Sequence, residues 1–185
     1  MIFEETDLKG SWVIKTKPSV DNRGSFRRLY NMEEFKEIDF KKNFVQVNQS
    51  TNNLKGTFRG MHYQLPPFSE TKLVKCTCGK ILDIIIDLRK GSETFLKSFT
   101  CELSPENNKM ILLSEGFAHG YITLEDHSDL LYFHTSVYRP NFEGGLNYRD
   151  PKLKIDIPFE PVLISERDNN YDFIDTDFSG IEVGN

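Results

Sequence analysis

The sequence predicts an all-β sandwich or barrel made of a single domain, and three observations carry that expectation. From Phe44 onward the chain falls into eight short alternating segments, turn residues separate them about every ten positions, and a single stretch has well-marked helical spacing. Its 185 residues suit one domain over 1–185 that buries roughly 70% of its unfolded surface, and no internal repeat, linker or low-complexity stretch divides it.

Taken in order, residues 11–16 form a first strand-like run. Pro18 and Asp21-Asn22-Arg23-Gly24 then supply turn chemistry, and 25–30 resumes an extended run. Between 31 and 38, Met32, Phe35 and Ile38 recur at three-residue steps. Asn31 stands where a cap belongs and Glu33 and Glu34 fall in the first turn, so a short helix is expected. The segments 44–50, 57–64, 71–78, 80–88, 94–103, 109–113, 117–124 and 129–138 are the expected strands. Asn52-Asn53, Pro66-Pro67, Gly79, Lys90-Gly91-Ser92, Ser104 to Asn107 and Glu125-Asp126 punctuate them.

Charge and composition exclude several function classes. A net charge of -5 with dispersed Lys and Arg leaves no footprint for a nucleic acid or a membrane surface, so an anionic ligand must be met by a few local cations. The acidic N-terminus has no secretory pattern and no 18 apolar residues run together, which gives the expectation of a soluble cytoplasmic protein. Three cysteines, with Cys76 and Cys78 two apart, form neither a Cys-x-x-Cys pair nor an even framework and are expected to be reduced packing residues.

Strand parity gives the reading its chemistry, because side chains two apart share a face. Gln46 and Asn48 fall opposite Val45 and Val47, Lys72 ends a row with Val74, Cys76 and Cys78, and Tyr132, His134, Ser136 and Tyr138 fall together. Polar faces on several strands are what a barrel with a ligand-filled mouth needs. Arg59 and His62 break parity, being three apart in Arg59-Gly60-Met61-His62-Tyr63-Gln64, and a bulge at Gly60 is expected to bring both to one side.

The candidate chemistry follows from residue types. Metal-binding barrels of the cupin type use His-x-His with a later Glu and a third His, but here the first element reads His62-Tyr63-Gln64. His62 and His119 fall short of the three protein ligands usual in a catalytic zinc site, so no metal is expected. A histidine suits general-base work and needs a partner to fix its tautomer, for which the acids of Ser165-Glu166-Arg167-Asp168 are candidates if that segment folds back across the barrel mouth. Tyr132 is either a proton donor or a packed strand tyrosine, and Lys72 either a site lysine or a solvated stem. Arg23, Arg59 and Lys72 either grip phosphates together or are scattered surface cations.

Several separate motifs, in order, resemble one family. They are Gln46-Val47-Asn48, Lys55 to Gln64, Thr71-Lys72-Leu73-Val74, Asp83 to Arg89, Glu115-Gly116-Phe117-Ala118-His119-Gly120-Tyr121 and Asp150-Pro151. Together they resemble the dTDP-4-dehydrorhamnose 3,5-epimerases from about Asp21 to Asp168. The resemblance implies a cupin-type jelly roll with few short helices. It also implies a homodimer that needs no metal or other cofactor and acts on a nucleotide-diphosphate 4-keto-6-deoxy sugar in deoxysugar or cell-surface polysaccharide biosynthesis.

By the same resemblance His62 is the base, Asp168 its supporting acid, Tyr132 the acid on the other face and Lys72 the electrophile at the ketone oxygen. Arg23 and Arg59 match diphosphate ligands, Gln46 and Asn48 line the nucleotide region, and Tyr138 matches an aromatic that stacks near the base. Phe26, His119, Glu143 and Arg167 match further substrate contacts. Two positions depart from the family pattern: Arg28 replaces a glutamate of the nucleotide region, and Val47 replaces an aspartate. Alternatives at this point are an epimerase of C3 or C5 alone on a CDP- or GDP-linked sugar, a non-catalytic sugar-nucleotide binding module, and a metal-dependent cupin.

Overall fold

The computed structural model describes residues 1–183. Residues 184 and 185, the end of the expected 1–185 domain, lie outside the described residues. The strands in chain order are β1 (Ile2–Glu5), β2 (Ser11–Lys15), β3 (Ser19–Asp21), β4 (Gly24–Phe26), β5 (Gln46–Asn52), β6 (Thr57–Gln64) and β7 (Lys72–Cys78). They continue with β8 (Ile81–Asp87), β9 (Ser98–Leu103), β10 (Lys109–Leu113), β11 (Phe117–Thr123), β12 (Ser128–His134), β13 (Glu143–Gly145) and β14 (Leu163–Ile164). The short helices are α1 (Met32–Phe35), extended by a 3-10 turn over Lys36–Ile38, and α2 (Glu166–Asn169).

Two six-stranded sheets form the body. The first has the order β1-β2-β10-β7-β12-β5. The second runs β13-β6-β11-β8-β9 with β14 also on β6, and β3-β4 is a separate hairpin. β8 is covered on both faces, which is why it reads as a nearly unbroken run, Ile81-Leu82-Asp83-Ile84-Ile85-Ile86-Asp87. Ile81 and Ile85 join Val74, Cys76, Ile111, Phe117 and Leu130 between the sheets. Ile84 and Ile86 point the other way, to Phe58, Met61, Ile122, Leu146 and Tyr148. Behind the first sheet, Ile14, Leu73, Met110 and Leu112 pack on Phe35 of α1. This is the all-β jelly roll that the strand spacing and the resemblance predict. Among the described residues no helix is long and apolar enough to cross a membrane.

The expected helix at 31–38 is present, and Asn31 Oδ1 caps it by accepting from Glu33 N at 2.8 Å and Glu34 N at 3.2 Å. Several boundaries differ. Residues 27–30 and 94–97 are not strand, and the expected strand over 129–138 ends at His134. The edge elements β1, β3, β13 and β14 carry mostly exposed or half-buried side chains and therefore no alternating pattern to find. Cys76 and Cys78 do not share an environment: Cys76 is buried while Cys78, at the strand end beside a register shift in β12, is exposed.

The bulge expected at Gly60 is present. Register pairs His119 with His62 and Tyr121 with Arg59, so β6 spends three steps where β11 spends two. Gly60 has φ +132°, and a Cβ there would lie 2.6 Å from Gly120 Cα and 3.0 Å from His119 O. Both obstacles are backbone and neither can rotate away. Gly60→Ala should therefore cost about 2 kcal/mol or more in a urea titration, from the left-handed φ and the clash together. A loss no larger than that of an exposed-site alanine would contradict this account.

Candidate active site

The bulge and the parity of five strands build one pocket between the sheets, with a cavity of about 310 Å³. From the second sheet come Arg59, His62 and Gln64 on β6 and His119 and Tyr121 on β11. From the first come Gln46, Asn48 and Ser50 on β5, Lys72 on β7, and Tyr132 and His134 on β12. Val47, on the opposite face of edge strand β5, is 56% exposed, and Val45, just before the strand, is 57% exposed, so the pocket-lining amides Gln46 and Asn48 turn inward while the valines turn out.

His62 and Asp168 meet across 106 residues of sequence. His62 Nε2 lies 2.9 Å from Asp168 Oδ1, and the freed N–H of Gly60 donates to Asp168 Oδ2 at 3.0 Å. Ser165 caps α2 by accepting from the Asp168 N–H, which fixes the carboxylate's approach. Burial alone would raise the Asp168 carboxyl. The hydrogen bond and charge of His62, with the Gly60 and Ser165 contacts, outweigh it and hold the group down at about 2. Arg167 Nη2 also lies 3.2 Å from His62 Nε2. A guanidinium only donates, so that nitrogen cannot serve both neighbours. The shorter, charge-assisted contact to Asp168 places its proton on Nε2 and leaves Nδ1 as the basic nitrogen.

A second imidazole–carboxylate pair lies deeper. His119 Nε2 is 2.8 Å from Asp83 Oδ2, and Asp83 is fully buried. Tyr132 stands on the opposite sheet from His62, with its ring 6.0 Å from His119 and its hydroxyl 3.1 Å from Ser50 Oγ. Burial first, then the neighbouring Tyr121 hydroxyl, push the Tyr132 phenol well above its usual value, against the opposing Ser50 bond. Tyr132 therefore enters any reaction at neutral pH as a protonated donor. Asn52 Nδ2 donates to Ser128 O, so its Oδ1 accepts from Tyr121 Oη at 3.1 Å and from Arg59 Nε at 2.9 Å. Lys72 Nζ is 3.1 Å from Glu70 Oε1, and its side chain is only 10% exposed. The solvated-stem alternative for this lysine does not hold.

The rim is polar. Tyr138 Oη donates to Glu143 Oε2 at 2.8 Å, and Arg167 Nη1 donates to the same oxygen at 2.9 Å. The Glu143 bond, then partial burial, raise the Tyr138 phenol. Gln64, where a metal cupin carries its second histidine, is tied to backbone: its amide donates to Phe68 O and accepts from Arg139 N.

Two predicted site residues lie elsewhere. Arg23 and Phe26 sit on the β3-β4 hairpin, outside this pocket's lining, with Arg23 paired to Asp21 at 2.6 Å and Phe26 74% exposed. Arg28 is half a surface ion pair with Glu34 at 3.0 Å. Sequence reasoning also passed over Asp83, Glu70, Ser50, Tyr121 and Tyr171, whose ring faces His62 at 6.0 Å. A lone acid inside a run of isoleucines was the available signal for Asp83, and parity with Gln46 and Asn48 was the signal for Ser50.

The model of the dTDP-4-dehydrorhamnose 3,5-epimerase family matches residues 5–175. The chain belongs to that family. The family member from Shigella flexneri is 36% identical over 176 residues, covering 94% of this chain and 97% of its own. A Legionella pneumophila dTDP-6-deoxy-D-glucose-3,5-epimerase, solved with dTDP-4-keto-L-rhamnose, superposes with TM-score 0.91 at 32% identity over 99% of both chains. A 3'-monoepimerase from Streptomyces bikiniensis, solved with dTDP-quinovose, has TM-score 0.84 at 31% identity, covering 91% of this chain and 85% of its own. The epimerase fold is thus shared by one-centre and two-centre relatives.

The Asp168 carboxyl sets a pH window. Its unfolded value is about 3.9 and its folded value is about 2, so its stabilisation is complete above about pH 4 and is lost as pH falls through 2. Urea midpoints measured from pH 6 to 2 should fall less steeply at the acid end in Asp168→Asn than in the parent, by about 2 kcal/mol of pH-dependent stability. Parallel curves would show that Asp168 is not held down.

Proposed function

We propose that this chain epimerises a dTDP-linked 4-keto-6-deoxyhexose at C3 and C5 by way of an enolate. The observation that carries the proposal is the placement of an oriented base, His62 on Asp168, and a protonated acid, Tyr132, on opposite sheets of one pocket that also holds Lys72. A hydrogen on a carbon beside the ketone leaves as a proton to His62 Nδ1. Its bonding electrons form a carbon–carbon double bond to C4, and the carbonyl pair moves onto oxygen. Lys72 stands as the cationic donor for that oxygen, and such a preorganised donor is typically worth roughly 3 kcal/mol. Tyr132 then protonates the carbon from the other face, the carbonyl reforms, and the centre is inverted. Solvent resets both groups, and the cycle repeats at the second centre once the ring reorients.

Arg59 is assigned to the diphosphate, with His119, Tyr138, Glu143 and Arg167 as further contacts, and Gln46 and Asn48 at the nucleotide end. Free cysteines fit the reducing cytoplasm, where we place the reaction. A homodimer belongs to the same proposal. Exposed Val45 and Val47, at the start of edge strand β5, favour a partner surface, and Arg23 and Phe26 can serve this pocket only if a second copy receives their hairpin.

Turnover in heavy water should place deuterium at both C3 and C5 of the dTDP sugar. Label at one position indicates a single-centre enzyme, and none with any nucleotide form indicates a binding module. His62→Ala should lower incorporation by roughly a hundredfold to ten-thousandfold. Tyr132→Phe should keep exchange with retained configuration while inversion falls, since His62 can return a proton to the face it came from.

Mixing tests the shared site. Arg23→Ala and His62→Ala chains, each impaired alone, should together regain activity at low substrate, because one pocket of the mixed dimer has both native residues. Activity no greater than the sum of the separate variants would assign Arg23 to the surface.

A further inference from the structure

Glu70 and His134 have no role in the mechanism above, yet Glu70 touches the residue on which enolate stabilisation rests and His134 touches Glu70. Register places Gln46, His134 and Lys72 side by side across β5, β12 and β7. Glu70, just before β7, spans the last two. Its Oε2 is 2.9 Å from His134 Nδ1 and its Oε1 is 3.1 Å from Lys72 Nζ. The Glu70 side chain is 8% exposed. A carboxylate this buried must be paired, and both its oxygens are engaged.

The hydrogen bonds leading to this pair have a fixed direction. The Tyr138 backbone N–H can only donate, and it meets Gln46 Oε1 at 3.0 Å. That turns the Gln46 amide nitrogen toward Asn48 Oδ1 at 3.3 Å, and the Asn48 amide nitrogen in turn toward His134 Nε2 at 3.3 Å. His134 Nε2 must therefore present its lone pair. The ring proton sits on Nδ1 and is donated to Glu70. One backbone amide thus sets the tautomer of a histidine three contacts away.

We propose that Glu70 and His134 act as a positioning pair for Lys72, holding its ammonium at the ketone end of the pocket through this directed relay. This rests on the epimerase reading above. A lysine head on four rotatable bonds is poorly placed by its own stem, and the ion pair with Glu70 at 3.1 Å fixes it on one side while leaving N–H bonds for a ligand oxygen. His134 keeps Glu70 from rotating and draws on the same carboxylate, so Lys72 is anchored without its charge being wholly matched. Burial opposes ionisation of Glu70, but the His134 bond and the Lys72 charge prevail and keep its carboxyl below the usual value.

Three variants separate this role from packing. Glu70→Gln keeps the shape and removes the charge. His134→Asn keeps a donor near Nδ1, whereas His134→Gln carries its amide to the Nε2 position and loses that donor. With the dTDP 4-keto sugar, Glu70→Gln and His134→Gln should lower kcat by roughly tenfold to a hundredfold, less than or similar to loss of an electrostatic donor itself. KM should stay within about twofold, because the lysine acts as charge develops on oxygen. His134→Asn should recover most of kcat. An unchanged kcat in Glu70→Gln, a loss confined to KM, or equal losses in the two His134 variants overturns the proposal.

The relay has a second readout that needs no turnover. Nitrogen-labelled histidine spectra at neutral pH should show His134 protonated on Nδ1 alone. A proton on Nε2 overturns the relay whether or not the protein is an epimerase. Absence of deuterium incorporation by the parent protein would instead remove the functional reading and leave the tautomer result standing.

Discussion

The extra residue in β6 is the constraint from which the site follows. A regular strand would send Arg59 and His62 to opposite faces, and the bulge at Gly60 sends both inward. The same distortion takes the Gly60 N–H out of the ladder and gives it to Asp168 Oδ2. That bond, with the Ser165 cap, brings a residue of the C-terminal helix α2 to the base on β6. One backbone irregularity thus brings together an imidazole, its carboxylate and a guanidinium, the groups proposed as base, support and diphosphate ligand. The close approach of Gly60 and Gly120 makes the irregularity possible, because neither strand carries a Cβ at the crossing.

Much of this was legible in the sequence because the structure is paired strand on strand. Period-two spacing put Gln46 with Asn48 and Tyr132 with His134 and Tyr138, and all five line the pocket. The broken parity of Arg59 and His62 pointed to the bulge. What stayed hidden lacked a periodic signature. The hairpin carrying Arg23 and Phe26 is exposed along its whole length, so no burial pattern marks which pocket it faces. Asp83 was hidden for the opposite reason: between Leu82 and Ile84 in a strand covered on both faces, an inward-facing acid has no alternation to stand against. The partner of His62 was named from resemblance, since 106 residues of separation leave nothing local to read. Tyr132 and Lys72 are similar cases, where composition favoured a packed tyrosine and a solvated lysine.

The charges in the pocket are layered, and the layering explains how a chain of net charge -5 can host an anionic intermediate. Asp168, Asp83 and Glu70 stand behind His62, His119 and Lys72 respectively, each within 3.1 Å of the group it supports. Glu143, nearer the rim, is matched by Arg167 at 2.9 Å. The acids are thus turned to their partners while the outer ring nitrogens, the ammonium and the outer end of the Arg59 guanidinium are left to the ligand. An enolate oxygen and a diphosphate would meet donors first and carboxylates second. In a site with little water that order matters more than the net sum, because interaction energy falls with distance and the nearer dipoles are fixed before the charge appears.

This arrangement also separates the two proton carriers by more than their position. In the proposed reaction the Asp168 carboxylate stands 2.9 Å from the ring that would become positive on taking a proton. Among the described residues no carboxylate is hydrogen-bonded to Tyr132, and the Asp83 charge is the last of the causes that keep its phenol protonated. Behind Tyr132 stand a serine hydroxyl, then a tyrosine hydroxyl, then an amide oxygen. In the resting direction Tyr121 donates to Asn52, Ser50 to Tyr121 and Tyr132 to Ser50, and both intermediate hydroxyls can rotate. In the proposed step where Tyr132 gives its proton to carbon, reversal of those two rotors would turn a donor toward the phenolate, and Asn52 would keep its bond from Arg59. The chain thus meets opposite demands with different materials. A fixed anion supports a base that becomes positive, and reorientable hydroxyls support an acid that becomes negative. A carboxylate behind Tyr132 would oppose the very charge its reaction creates.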